Sequence, residues 1–276
     1  MNKWRILSAA LFLLGLAAMG WAFYATLDES GNVLPPLGYI VGGFGVALVA
    51  YMLAARMWIA LFDGLGDHRI LAGAFYTSQV AKYLPVGGAL QVAGQVSLSR
   101  QDEIALGRAA IVYPVFALAA VASAATLSAG LSVTADHLPW SLRWLFLLGL
   151  LAPLLLIRSL TRWVLDTARR LIKRIPSSKM IPSQAAIWRA YGWGLLNMAV
   201  YGASFAIVFH PLAPDVGPVH VTLSFVLAWL VGFLALPVPA GLGVREGVLI
   251  ALPPIASTGA GRHGQSLLTS EYTEIT

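Results

Sequence analysis

The sequence contains no cysteine. That excludes disulfides, thiolate metal sites and thiol nucleophiles, and it leaves cysteine usage silent about compartment. Charge is scarce as well: only 11% of the 276 residues are charged, against about 25% in an ordinary soluble domain. No Asn-x-Ser/Thr sequon occurs, and no P-loop or Gly-x-Ser-x-Gly element. The histidines, His68, His137, His210, His220 and His263, have no metal-ligand spacing. Gly241 to Gly247 misses the dinucleotide fingerprint by one residue and follows no strand pattern. Nothing here points to an enzyme, a metal or a cofactor.

What is abundant is apolar surface. Hydrophobic residues make up 58% of the chain, more than one soluble core can hide, so a bilayer must be the solvent for most of it. A spanning helix needs roughly 20 mostly apolar residues. About six such runs emerge: Ile6–Thr26, Leu37–Phe62, Ala109–Val133, Leu142–Ile157, Ala190–Phe209 and Val221–Leu236. The expectation is an all-α, polytopic integral membrane bundle. The first run follows Lys3 and Arg5 and also has the outline of a signal peptide, but it exceeds the 7–15-residue apolar core expected of one.

The basic residues test this layout, because Lys and Arg gather on the cytoplasmic side. Lys3 and Arg5 precede the first run. Arg56, Arg69, Lys82, Arg100 and Arg108 fall between the second and third runs. Eight more, from Arg158 to Arg189, fall between the fourth and fifth, and Arg245 and Arg262 follow the sixth. Seventeen of the 18 basic residues therefore share one side, Arg143 being the exception. This predicts a bacterial cytoplasmic membrane protein with its N-terminus inside. The net charge of +6 is then read as headgroup contact and not as a nucleic-acid surface. Within the basic connector, Thr161–Ile175 reads as an amphipathic surface helix with Trp163, Leu165, Leu171 and Ile172 toward lipid.

Two segments do not behave as spans. Leu71–Val96 is broken by Leu84-Pro85-Val86-Gly87-Gly88, and each half is short for a span, which favours a re-entrant hairpin over a pair of crossings. The second break, Leu236 to Gly247, is rich in Pro and Gly and precedes apolar Val248–Leu252. Interrupted segments at corresponding places of two halves mark binding sites in transporters. At such breaks helix N-termini leave unpaired N–H groups that can hold an anion. Lys82 and Arg245 stand beside them, and Arg can grip a phosphate through two parallel hydrogen bonds. Both also fit simple snorkelling to headgroups. Glu246 could meet a cationic group or balance Arg245. Thr77, Ser78, Gln79, Gln91 and Gln95 suit either a cavity lining or helix-to-helix hydrogen bonds, and Asn197 suits packing.

At these breaks the chain resembles a known family. Ala81-Lys82-Tyr83-Leu84-Pro85-Val86-Gly87-Gly88 through Gln95, and Pro237-Val238-Pro239-Ala240-Gly241-Leu242-Gly243-Val244-Arg245-Glu246, are similar to two signatures of the flippase-like transmembrane domain of lysylphosphatidylglycerol synthase, the multiple peptide resistance factor, and of its stand-alone relatives. The resemblance covers about residues 1–256. It implies movement of a phospholipid or a polyprenyl-phosphate-linked lipid between leaflets, with Lys82, Tyr83, Pro85, Gly87, Gly88, Gln91, Gln95, Pro239, Gly241, Gly243, Arg245 and Glu246 as candidate headgroup-binding residues. Gln95 stands where the family often has Arg. No aminoacyl-transfer domain follows, and Pro253-Pro254 leads into a polar tail, 257–276, expected to be disordered, where the family continues with further membrane helix. Two other readings remain: a non-transporting scaffold for a lipid-modifying or glycosyltransferase enzyme, and a small-solute transporter.

Overall fold

The structure is a computed structural model that describes residues 35–81, 106–130, 143–144, 147–171, 180–235 and 243–251. Pro35 and Pro36 preset the backbone of a first helical turn, and helix α1, Leu37–Ala60, starts directly after them. At 1.5 Å per residue its 24 residues reach about 36 Å, longer than the roughly 30 Å of bilayer hydrocarbon. The order continues with α2 (His68–Ala81), α3 (Leu106–Ser128), a 3₁₀ helix (Leu148–Leu156), α4 (Arg158–Leu171), α5 (Gln184–Phe209), α6 (Pro218–Leu234) and α7 (Val244–Ala251). Among the described residues there is no strand.

Three helices, α1, α3 and α5, are long and apolar enough to cross a membrane. The bent pair formed by the 3₁₀ helix and α4 makes a fourth if counted as one span, and α6 is apolar but has 17 residues. These helices fall on the second, third, fifth and sixth apolar runs. The first run, Ile6–Thr26, lies outside the described residues, as do the break around Pro85 and the tail.

Helix α5 is the hub: α1, α3 and α6 all pack against it. Gly43 of α1 lets the two backbones close up, since a Cβ there would overlap the Val208 side chain and lie 2.9 Å from the Ser204 carbonyl. Asn197 packs, as its setting suggested, donating from Nδ2 to the Ala50 carbonyl of α1 at 2.6 Å. An aromatic knot joins the other helices. Trp58 of α1 is fully buried and meets Phe62, Phe75 of α2 and Phe116 of α3 at ring separations of 5.2, 6.5 and 5.9 Å. Away from these contacts α1 turns Leu37, Val41, Phe44, Leu48 and Met52 outward along one face, an unbroken apolar stripe with no complement in water.

Within the fourth run, Leu148–Leu156 winds as a 3₁₀ helix of nine residues. Pro153 lies inside it and supplies no backbone donor to an α ladder. The chain then bends by 87° into α4. On α4, Trp163 is exposed as expected, but Leu165 is buried in the main core. The helix begins at Arg158, and Trp163 and Leu165, two residues apart, cannot share one helical face; Thr161 is buried and donates to the Leu155 carbonyl at 2.8 Å.

Candidate functional site

Among the described residues, the site residues expected from sequence are Gly243, Arg245 and Glu246. Lys82, Tyr83, Pro85, Gly87, Gly88, Gln91, Gln95, Pro239 and Gly241 lie outside them. The restart after the second break is local chemistry. Gly243 takes φ +83°, a left-handed conformation that costs glycine little. Its N–H is taken by the Glu246 carboxylate at 2.7 Å, while its carbonyl accepts from Gly247 N at 3.0 Å to open α7. This is the reciprocal logic of a helix cap. Glu246 thus serves its own helix end. Its carboxylate also offsets the positive end of α7, so the helix terminus contributes less to anion binding than the sequence implied.

Arg245 carries what remains. Its side chain lies across Gly232, in the last turn of α6. A Cβ at 232 would overlap Arg245 Cγ and stand 2.9 Å from Nε. Among the described residues the Arg245 Nε is buried and without a hydrogen-bond partner, as are Arg108 Nε and Arg158 Nε. A buried, unpaired N–H on a charged group costs more than the 1–3 kcal/mol or so of a neutral one, and such an atom calls for a partner not yet in place. Nε and one Nη of a guanidinium form the fork that grips two oxygens of one phosphate.

Helices α5 and α6 run antiparallel through the turn His210–Gly217, so Arg245 lies toward the end of the molecule where α5 begins. At that end sits a second cluster, centred on Asp63. This residue follows α1 in a left-handed conformation, φ +58°, which Asp tolerates better than most. Its carboxylate meets Arg108 of α3 at 2.5 Å and accepts from Ser183 N at 2.9 Å and from Ser183 Oγ. Ser183 in turn caps α5, accepting from Ala186 N at 3.1 Å. Arg108 also donates to the carbonyls of Leu61 and Met180, and Arg189 stands 4.0 Å from Asp63. Burial pushes the Asp63 carboxyl up, but the hydrogen bonds from Ser183 and Arg108 together with the Arg108 charge outweigh it and hold it below its usual value. This is a clamp on three helix ends. Arg158 is tied in nearby: its N–H donates to Gln184 Oε1 at 2.6 Å and its Nη2 to the Ile181 carbonyl.

The polar residues of α2 bond locally. Thr77 donates to the Gly73 carbonyl and Ser78 to the Phe75 carbonyl. Two residues of consequence had no reading from sequence. Gly232 is one glycine among 27, its only mark being its place between bulky Val231 and Phe233. Asp63 is one of several acids in the connector after the second run, beside Asp67, Asp102 and Glu103, and nothing in its spacing marks it out.

Compared with protein families, with curated proteins and with solved structures, the chain finds no match.

Proposed function

We propose that this chain is a multi-pass integral membrane protein of the bacterial cytoplasmic membrane that holds an anionic lipid headgroup at Arg245 and carries it between leaflets. The full scheme is a six-span bundle with two broken segments and the N-terminus inside. One observation supports the headgroup reading above the rest: among the described residues the Arg245 Nε is buried and unpartnered in a seat made by Gly232. Charged groups at such places are costly in apolar surroundings and are retained for what they bind. The guest is a phosphate-bearing lipid, a phospholipid or a polyprenyl-phosphate-linked lipid, and no chemistry is performed on it.

The test is reconstitution of the full chain into vesicles carrying a trace of labelled anionic phospholipid. Exchange between leaflets should run well above empty vesicles and fall about tenfold in Arg245→Gln, the loss expected for one charge-assisted pair. Exchange no faster than in protein-free vesicles ends the flippase reading. Normal exchange in the variant removes Arg245 from it.

A further inference from the structure

Helix α1 is bound to the bundle along one side only. That side meets α5 and the aromatic knot, whereas Leu37, Val41, Phe44, Leu48 and Met52 on the other are 48 to 74% exposed. Of the apolar stretch that makes α1 long enough to span, 11% is buried among the described residues, against 44% in α3 and 33% in α5. The five outward residues follow one another at steps of three and four, so they form a single bulky ridge along the helix.

The segment nearest to this ridge along the chain is the first apolar run, Ile6–Thr26, which lies outside the described residues. Its 21 residues match the roughly 20 that a span requires. Ten residues, 27–36, separate it from Leu37, close to the roughly 2–8 that join helices in bundles. They include Asp28-Glu29-Ser30-Gly31-Asn32, residue types that favour turns. A segment on so short a tether meets α1 at an effective concentration on the order of millimolar, which favours it over a second copy of the chain.

The run also has a side that suits a bulky ridge. Ser8, Leu11, Gly15, Ala18 and Ala22 are spaced by three and four, and all but Leu11 are small. In an antiparallel hairpin with Thr26 level with Leu37, Ala22 falls opposite Val41 and Gly15 opposite Leu48. Large side chains of one helix then stand over small ones of the other, which lets two helices approach closely in a medium that provides no hydrophobic drive between them.

We propose that the outward face of α1 is the docking face for the chain's own first run, Ile6–Thr26, packed on it as an antiparallel helical hairpin through Ser8, Gly15 and Ala22. The direction of the run rests on the six-span reading, and Arg245 plays no part in it.

The chain has no cysteine, so cysteine pairs placed in the full-length protein in membranes report this contact alone. Ala22→Cys with Val41→Cys, and Gly15→Cys with Leu48→Cys, should each close an intramolecular disulfide on mild oxidation, read as a gel shift that reductant reverses. Leu13 is two residues from Gly15 and so on the other side of a helix; Leu13→Cys with Leu48→Cys should stay open. Gly15→Cys with Leu151→Cys, exposed on the 3₁₀ helix, should also stay open. Lys3→Cys and Asn32→Cys should react with an impermeant maleimide from opposite faces of sealed vesicles. Reaction from one face removes the spanning reading and the proposal with it. Reaction from opposite faces with both α1 pairs open overturns the proposal alone. A disulfide dimer formed by Leu48→Cys by itself gives the face to a second copy, and closure of the Leu151→Cys pair puts the run elsewhere; either result overturns it. So does a purified chain whose mass lacks residues 1–26. Two α1 pairs at different depths keep the test decisive if one substitution disturbs folding.

Discussion

Single side chains decide two things in this protein: where Arg245 lies and how three helix ends are held. Because a Cβ at position 232 would stand 2.9 Å from Arg245 Nε and overlap its Cγ, Gly232→Ala should displace the guanidinium while leaving its charge in place. Binding of an anionic phospholipid, read by native mass spectrometry, is expected to weaken roughly tenfold, much as in Arg245→Gln. Gly192→Ala, which meets nothing within 4 Å, is the matched control and should bind normally. Asp63 gives a prediction in pH. Its carboxyl is held below the usual 3.8, so folding favours the charged form. That contribution is complete above 3.8 and disappears as pH falls through the lowered value. Acid melting followed by Trp fluorescence should thus show a destabilisation that Asp63→Asn lacks. With about a quarter of the Asp63 side chain still reached by water, Asp63→Ala should cost about 2 kcal/mol at neutral pH, less than a fully buried pair. A variant as stable as the parent at neutral pH would mean that the clamp is ornamental.

At the scale of elements, the contact of α1 with α5 shows how two opposed effects are ranked. Replacing an exposed helical glycine by alanine gains about 1 kcal/mol of helix propensity, and Gly45, with nothing within 4 Å of a new Cβ, should show that gain. At Gly43 the same change drives a methyl into Val208 and toward the Ser204 carbonyl. Overpacking of this kind costs about 1–3 kcal/mol, so it should exceed the propensity gain. Paired melting curves of Gly43→Ala and Gly45→Ala should therefore move in opposite directions. The helices themselves were legible, since α1, α3, α5 and α6 fall on long apolar runs bounded by Pro, Gly or charge. The 3₁₀ helix was not: Leu148–Leu156 is apolar throughout, and apolar periodicity does not report which carbonyl each N–H reaches. The inward turn of Leu165, by contrast, follows from spacing, because residues two apart such as Trp163 and Leu165 point to opposite sides of a helix.

Across the whole molecule, the end of α1 and the starts of α3 and α5 meet at Asp63, whereas the end of α5 and the starts of α6 and α1 meet at a cavity. A chain free of cysteine makes this directly testable with single cysteines. Arg69→Cys and Arg162→Cys, both exposed, should react with a membrane-impermeant maleimide from one face of sealed vesicles, and Asp215→Cys from the other. Reaction of Arg69→Cys and Arg162→Cys from opposite faces would break the helix arrangement. Composition and the long apolar runs alone determined that the chain is helical and suited to a bilayer, because backbone satisfaction in an apolar medium leaves few alternatives. Segregation of Lys and Arg likewise predicted which connectors share a side. Only the tertiary structure decided that Gly232 seats Arg245 and that Arg108 serves Asp63. Those outcomes depend on which residues distant in the chain come within hydrogen-bonding reach, and spacing along a sequence does not carry that distance.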